Sequence, residues 1–209
     1  MTAWRRGWRR TPESVMPSDG TLIALDKGVS CVSVEDAKAY LRVDSGIEDG
    51  VIDGAIRSVQ DQLVPPEGWL GRALTDAQFR LDIPSFGNEI VLPAPPFHSI
   101  ESFVYIDRDG DEQTVDADLY TVTDGTPAVI QLRRNKTWPT DIDTCRNDAV
   151  QITFNAGYGA PEDVPMVIRQ WVKYQVSQIH DIRQPIVVGT IVSETPFIRS
   201  MLESWRVRL

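Results

Sequence analysis

The chain has 209 residues, of which 42% are hydrophobic and 24% charged, with a formal net charge of −9 and a pI near 4.7. This composition is ordinary for a folded globular protein, and no stretch approaches the roughly 18 apolar residues of a membrane-spanning helix. The acidic balance argues against a protein that wraps nucleic acid, because duplex binding depends on neutralising phosphates. We therefore predict one globular domain with a smaller appendage.

The charges are distributed unevenly along the chain. Residues 1–10 contain four arginines and no acid, and residues 199–209 contain three arginines against one glutamate. Taking this +4 and +2 from the total of −9 leaves a formal charge of −15 on residues 11–198. The sequence thus predicts an acidic body with a basic arm at each end.

The predicted N-terminal arm, residues 1–30, opens with WRRGWRR and continues with glycines and prolines that fit no helix or strand period. Tryptophan and arginine are the residues most enriched at binding hot spots, so docking on an acidic protein surface is favoured. Stacking on single-stranded nucleic acid, a membrane interface and a solvated tail are the alternatives. The docking residues in this arm are Trp4, Arg5, Arg6, Trp8, Arg9 and Arg10.

Two helical stretches are predicted, over residues 33–64 and 164–181. Ser33 is the expected N-cap of the first, with Asp36 three residues later, and two prolines end this stretch. The second has a broad apolar face. A second helix is predicted in the later part of the first stretch, with apolar residues at helical spacing at Ile47, Val51, Ile52, Ile56, Val59 and Leu63.

Between the helical stretches the hydrophobic pattern changes to alternation. Residues 75–155 contain about six short apolar runs, separated by turn sequences such as PAPP, DRDGD and TDGTP. The predicted fold class is α+β, a small α-helical bundle with an inserted antiparallel β unit and extended N- and C-terminal arms. In this division residues 31–182 form the body and residues 183–209 the C-terminal docking arm.

An acidic loop at residues 107–118 contains six carboxylates and one arginine, and it resembles a calcium loop at first sight. An EF-hand loop needs glycine at its sixth position and glutamate at its twelfth, whereas here Gly110 is fourth and Asp118 is twelfth. A solvated hairpin turn at Asp109-Gly110 is the favoured interpretation, and it leaves a local field of one sign.

The sequence offers little for catalysis or cofactor binding. The Gly-Tyr-Gly at 157–159 lacks the third glycine of a dinucleotide fingerprint and the ending of a P-loop, so a strand-to-helix turn is favoured. His98 and His180 have no recognisable nucleophile motif or metal-ligand spacing, and the two cysteines are far apart. We predict no catalytic residue, no metal and no cofactor, although a pair of carboxylates that converge only in space stays open.

The C-terminal arm follows a break at Gln184-Pro185 and ends in an amphipathic helix that begins at Pro196. Each large side chain on its apolar face is worth about 1.5–3 kcal/mol when buried, so the face needs a partner surface. That surface is either the chain's own helices or another protein, and the cationic end favours docking. The residues assigned to docking are Phe197, Ile198, Met201, Leu202, Trp205, Arg206 and Arg208.

The order of these segments resembles the head-tail connector (adaptor) family of tailed phages and gene-transfer agents. The resemblance covers roughly residues 33–209, and several motifs agree in order and spacing. They are SVEDAKAYLRVD, GRALTDAQFRLDIP, EIVLPAPPFHSIESFVYIDRDG, LYTVTDG, VQITFNAGYGAPEDVPMVIRQWV, RQPIVVG and WRVRL.

The resemblance implies a structural, non-enzymatic protein of a virion or phage-like particle, assembled in the bacterial cytoplasm. It implies a ring, usually of twelve copies, that binds the portal protein, receives a neck or tail-completion protein and involves no membrane. DNA would pass through the lumen without specific binding, which an acidic surface favours. The residues assigned to that channel surface are Asp107, Asp109, Asp111 and Glu112.

Two other classes of function stay open at this point. One is a protein-binding or regulatory module outside any virion, and the other is an enzyme with an unrecognised carboxylate site. Co-purification with a particle separates the first from a connector, and a substrate screen addresses the second.

Overall fold

The structure, a computed structural model, describes residues 20–181 and 196–207, with side chains from residue 200 onward in the second range. It is a mixed α+β fold, as the sequence predicted. The helices of the described residues are α1 (Val34–Leu41), α2 (Asp49–Asp61), α3 (Met166–Asp181) and α4 (Pro196–Glu203), with short 3-10 turns at Gly46–Glu48 and Pro161–Asp163.

The first predicted helical stretch is two helices. The predicted N-cap is confirmed, because the Ser33 hydroxyl accepts a hydrogen bond from the Asp36 amide at 3.1 Å. The helix ends at Leu41, where Arg42 adopts a left-handed conformation with φ of 59°. After this break the chain re-enters helix through a 3-10 turn whose amide at Ile47 is bonded by the Ser45 hydroxyl.

The strands form two antiparallel sheets rather than one unit. A five-stranded sheet has the order β1-β2-β8-β4-β5, and a three-stranded sheet has the order β3-β7-β6. Their bounds are β1 (Thr21–Asp26), β2 (Ala77–Ile83), β3 (Glu89–Leu92), β4 (Phe97–Ile106), β5 (Glu112–Thr114), β6 (Tyr120–Thr123), β7 (Ala128–Leu132) and β8 (Val150–Ala156).

Strand β1 corrects the prediction that residues 1–30 form an extended arm. Leu22 pairs with Leu81 of β2, and Ala24 pairs with Phe79, so both lie on the face of the sheet that holds the core. In TLIALD the four residues 22–25 are all apolar, so no alternation of apolar and polar residues marked a strand among the surrounding glycines and prolines. Residues 20–30 therefore belong to the body, and residues 1–19 lie outside the described part of the chain.

A single hydrophobic cluster joins the five-stranded sheet to the helices. Phe79 and Phe154, on the two central strands, stack with ring centroids 5.9 Å apart. Ile52 and Ile56 of α2 belong to the same cluster, as does Ile168 of α3. The cluster thus fixes α2 and α3 against each other on one side of the protein.

An aromatic cluster attaches the three-stranded sheet. Phe103 of β4 packs edge-on against Tyr120 of β6 at 5.1 Å, and Phe86 stacks on Trp138 at 4.9 Å. The Trp138 indole also donates a hydrogen bond to the Gly87 carbonyl at 3.0 Å. Loops on both sides of the small sheet are therefore held to the large one.

Replacing Ile56 by alanine tests this description of the core. Its side chain is 0% exposed, so Ile56→Ala should lower the free energy of unfolding by about 2–5 kcal/mol, measured by urea denaturation. The matched control is Ile47→Ala, since Ile47 is 92% exposed and should change stability by less than about 0.5 kcal/mol. Equal effects at the two positions would contradict the burial of Ile56 and the exposure of Ile47.

Candidate interaction surfaces

Helix α4 packs on the chain's own helices. Leu202 is 0% exposed and belongs to the main hydrophobic cluster. Beyond the helix, the Val207 amide donates to the Leu70 carbonyl at 3.0 Å. Leu202 therefore packs on the chain's own helices, which was the alternative to docking that the sequence left open.

Arg72 ties the C-terminal segment to the body. Its Nε donates to the Trp205 carbonyl, and its guanidinium lies 5.9 Å from the centre of the Trp205 ring, within cation-π range. Its Nη1 also donates to the Tyr158 hydroxyl at 3.4 Å. Burial raises the pKa of Tyr158 above its ordinary value of 10.0, so this phenol stays protonated at neutral pH.

The remaining residues assigned to docking fall into three groups. Met201 and Trp205 are half-buried, and Arg206 is exposed with its Nη1 3.9 Å from Glu203. Phe197 and Ile198 lie in α4, but their side chains are outside the described residues. Arg208 and the arm residues Trp4, Arg5, Arg6, Trp8, Arg9 and Arg10 lie outside the described residues altogether.

The acidic loop is a hairpin between β4 and β5, with Gly110 at a φ of 90° in its turn. The Asp107 carboxylate accepts bonds from the Gln113 side chain at 2.8 Å and from the Asp111 and Asp109 amides at 2.9 and 3.0 Å. The Gln113 bond first, and then the amides, lower the pKa of Asp107. Asp107 is 8% exposed, and its three hydrogen bonds make the carboxylate part of the turn.

The other acids of this hairpin, Asp109, Asp111 and Glu112, are exposed. They give the tip a negative surface, whose place relative to a channel stays a prediction. In the described residues no group of three or more His, Cys, Asp or Glu side chains is arranged to hold a metal ion.

The Gly-Tyr-Gly turn uses its amides within the fold. The Gly157 amide donates to the Pro96 carbonyl at 2.8 Å, and the Tyr158 amide donates to the Leu74 carbonyl at 3.1 Å. A Cβ on Gly157 would lie 2.0 Å from the Thr75 carbonyl oxygen, which explains the glycine. These two amides are not available to a phosphate, so this is a strand-to-helix turn, as predicted.

The side chains that could take part in catalysis, His98, His180 and Cys31, lie on different elements of the fold. His98 is exposed on β4, beside a polar cleft of about 460 Å³, and His180 at the end of α3 has its Nε2 2.8 Å from a Glu48 oxygen. Burial raises the pKa of Cys31 to about 11, so its thiol is protonated and unreactive at neutral pH.

One surface was missed at the sequence level. Ile47 and Val51, which we expected on the buried face of a helix, are 92% and 64% exposed. Val51 and Ile179, which is 44% exposed, line a groove of about 220 Å³ between α2 and α3, and Ile47 precedes the groove residue Glu48. The available signal was the width of the apolar face, because the stripe through Ile47 and Val51 lies beside the buried stripe through Ile52 and Ile56.

Comparisons with known proteins show where this fold occurs. No protein-family model matches the chain, and no curated protein sequence matches it. A chain in the neck of an empty gene transfer agent particle, computed with C6 symmetry, matches with a TM-score of 0.72 at 21% identity. A chain in the virion of a native gene transfer agent particle matches with 0.71 at 22% identity, and one in a native neck computed with C12 symmetry with 0.64 at 18%.

Each match covers 90% of this chain and 96% of the other. At these identities the likeness shows a shared fold, which extends over nearly the whole of both chains. None of the helices in residues 20–181 and 196–207 is long and apolar enough to cross a membrane.

Replacing Leu202 by alanine tests the packing of α4. Because this side chain is fully buried, Leu202→Ala should lower the free energy of unfolding by about 2–5 kcal/mol in urea denaturation. Arg206→Ala, at an exposed position four residues later, is the control and should change it by less than about 0.5 kcal/mol. If Leu202→Ala matched this control, α4 would not be packed in solution.

Replacing Asp107 by alanine tests the hairpin. The folded pKa lies below the ordinary 3.8, so the bonded carboxylate stabilises the fold above pH 3.8 and loses this effect as the pH falls through its folded pKa. Asp107→Ala should therefore lower Tm well above pH 3.8, with a deficit that shrinks in stronger acid. Asp109→Ala is the control at an exposed position, and a deficit that does not depend on pH would contradict the role of the charge.

Proposed function

We propose that this chain is a structural subunit of the neck of a phage-like particle. It acts as a head-tail connector, forming a ring beneath the portal that extends the DNA channel and joins the head to neck or tail components. The observation that carries this proposal is the fold shared with a gene transfer agent neck chain over 90% of this chain and 96% of that one.

The extent of the match supports a structural role. The shared fold covers 90% of this chain and 96% of the neck chain, so the likeness is to nearly the whole of that subunit and not to one part of it. The thiol of Cys31 is unreactive, and the amides of the Gly-Tyr-Gly turn are used within the fold. We infer that the chain works by binding other proteins and is not an enzyme.

Electrostatics supports a channel through which DNA passes without being held. Residues 11–198 have a formal charge of −15, and three of these carboxylates, Asp109, Asp111 and Glu112, are exposed together at the hairpin tip. Fixed cations at a channel wall would bind phosphates and slow the DNA, whereas an acidic wall repels the duplex. We place the hairpin at the lumen on this ground.

The portal contact is assigned to the exposed side of the C-terminal arm. Leu202 is occupied by the chain's own core, so it positions the helix and does not reach a partner. Arg206 is exposed, and Phe197, Ile198 and Arg208 complete the proposed contact outside the described side chains. The basic N-terminal arm, residues 1–19, is the second candidate for a contact with portal or neck proteins.

Mixing the chain with the portal protein of its particle tests the proposal. Negative-stain images should show an added ring on the portal, and a chelator should leave it unchanged. Arg206→Glu should weaken binding about tenfold or more, while Arg134→Glu, at an exposed cation in the turn after β7, should not. Absence of any complex between folded partners would favour a binding module outside the virion.

A further inference from the structure

Five of the seven exposed large hydrophobic side chains in residues 20–181 and 200–207 lie in two places. Val51 and Ile179 line the groove between α2 and α3, and Ile47 lies in the 3-10 turn just before α2, next to the groove residue Glu48; we call these three the groove patch. Leu25 and Val29, 49% and 63% exposed, lie at the end of β1 and just after it, and we call them the strand patch. Exposed apolar clusters of this kind mark protein contacts.

The groove patch is held in its exposed position by the fold. The Ser45 hydroxyl accepts from the Ile47 amide at 3.2 Å, and Lys38 pairs with Asp49 at 2.7 Å. At the rim, Glu48 lies 2.8 Å from His180. Ile47 therefore projects from a fixed turn, and a partner would not need to order it.

The strand patch is fixed in the same way. The Val29 carbonyl accepts from the Thr75 hydroxyl at 2.7 Å and from the Gln60 side chain at 3.1 Å. Gly28 lets the backbone pass close to Asp76, because a Cβ there would lie 2.3 Å from the Asp76 carbonyl oxygen. The Val29 side chain thus faces solvent from a backbone that is tightly bonded.

The two patches lie at opposite ends of α2. Val51 is in its first turn, and Gln60, which bonds the Val29 carbonyl, is nine residues later, about 14 Å along the helix axis. Two different patches at opposite ends of one element suit a head-to-tail contact, in which each copy offers one patch to each neighbour. Such contacts close into rings when the rotation per copy divides the circle.

The ionic borders of the two patches and the size of the groove also bear on its occupant, which we take to be a second copy of this chain. The groove patch is bordered by the acids Glu48 and Asp181, whereas Lys27 and Arg57, 40% and 72% exposed, lie beside the strand patch. Lys27 already pairs with Asp61 and Glu67, and Arg57 pairs with Asp53, so these cations orient the contact and do not drive it. A groove of about 220 Å³ is smaller than the roughly 300–1,000 Å³ of small-molecule sites.

We propose that the groove patch of one copy receives the strand patch of the next copy in the ring. This inference rests on the proposed function and identifies the two surfaces by which copies meet. Ile47 and Val51 of one copy would pack against Leu25 and Val29 of its neighbour, which gives the exposed isoleucine a buried place in the assembly.

Cysteine cross-linking tests the pairing directly. In a Cys145→Ser background, Ile47→Cys with Val29→Cys should be linked by a short bis-maleimide into a ladder of dimers, trimers and larger species. The matched control combines Ile47→Cys with Met166→Cys, which is 58% exposed outside both patches and should give no ladder. A dimer from Ile47→Cys alone, in yields equal to the double variant, would overturn the proposal in favour of a groove-to-groove contact.

A mixing experiment gives an independent answer. Ile47→Asp retains an intact strand patch and Val29→Asp an intact groove patch, so an equal mixture should form dimers that grow no further. If Val29→Asp assembled like the unchanged chain, or if the equal mixture grew beyond dimers, the pairing would be wrong. Portal binding by each variant is measured separately: a ladder without portal binding would count against the connector function alone, and portal binding without a ladder against the pairing alone.

Discussion

The antiparallel pairing of β2 with β8 is the interaction on which the rest of the fold depends. It runs without interruption from Ala77 opposite Ala156 to Ile83 opposite Val150, at the centre of the five-stranded sheet. Strands β3 to β7 lie between β2 and β8 in the sequence. Of these, β4 pairs with the other edge of β8 and β5 with β4, whereas β3, β6 and β7 form the small sheet. Because α2 precedes β2 and α3 follows β8, joining the two strands also brings the two helices together.

Much of this arrangement followed from local chemistry. The Ser33 cap, the change to alternating residues near Phe79 and the turn at Asp109-Gly110 each have a short-range cause, and each appears in the structure. Strand β1 did not follow, because an edge strand is defined by the partner it pairs with and that partner is more than 50 residues away. Antiparallel pairing over such a distance leaves little trace in a local pattern.

The interaction surfaces were harder to predict than the fold. An apolar helical stripe has the same appearance whether it meets the chain's own core, as Leu202 does, or solvent, as Ile47 does. The difference is set by what the tertiary fold places opposite the stripe, and periodicity does not contain that information. The negative charge of the hairpin was easier to predict, because it depends on composition. It remains although the Asp107 carboxylate is hydrogen-bonded within the turn.

The bonds made by Arg72 have a mechanical consequence. Through Arg72, the backbone at Trp205 is connected to the hydroxyl of Tyr158, next to the end of β8, and Val207 is bonded to Leu70 just before β2. A pull applied at the C-terminal end is thus shared with both central strands of the sheet instead of passing along the backbone through α4 alone. Such a load would act on the uninterrupted β2–β8 pairing, and not on the packing of α4 alone.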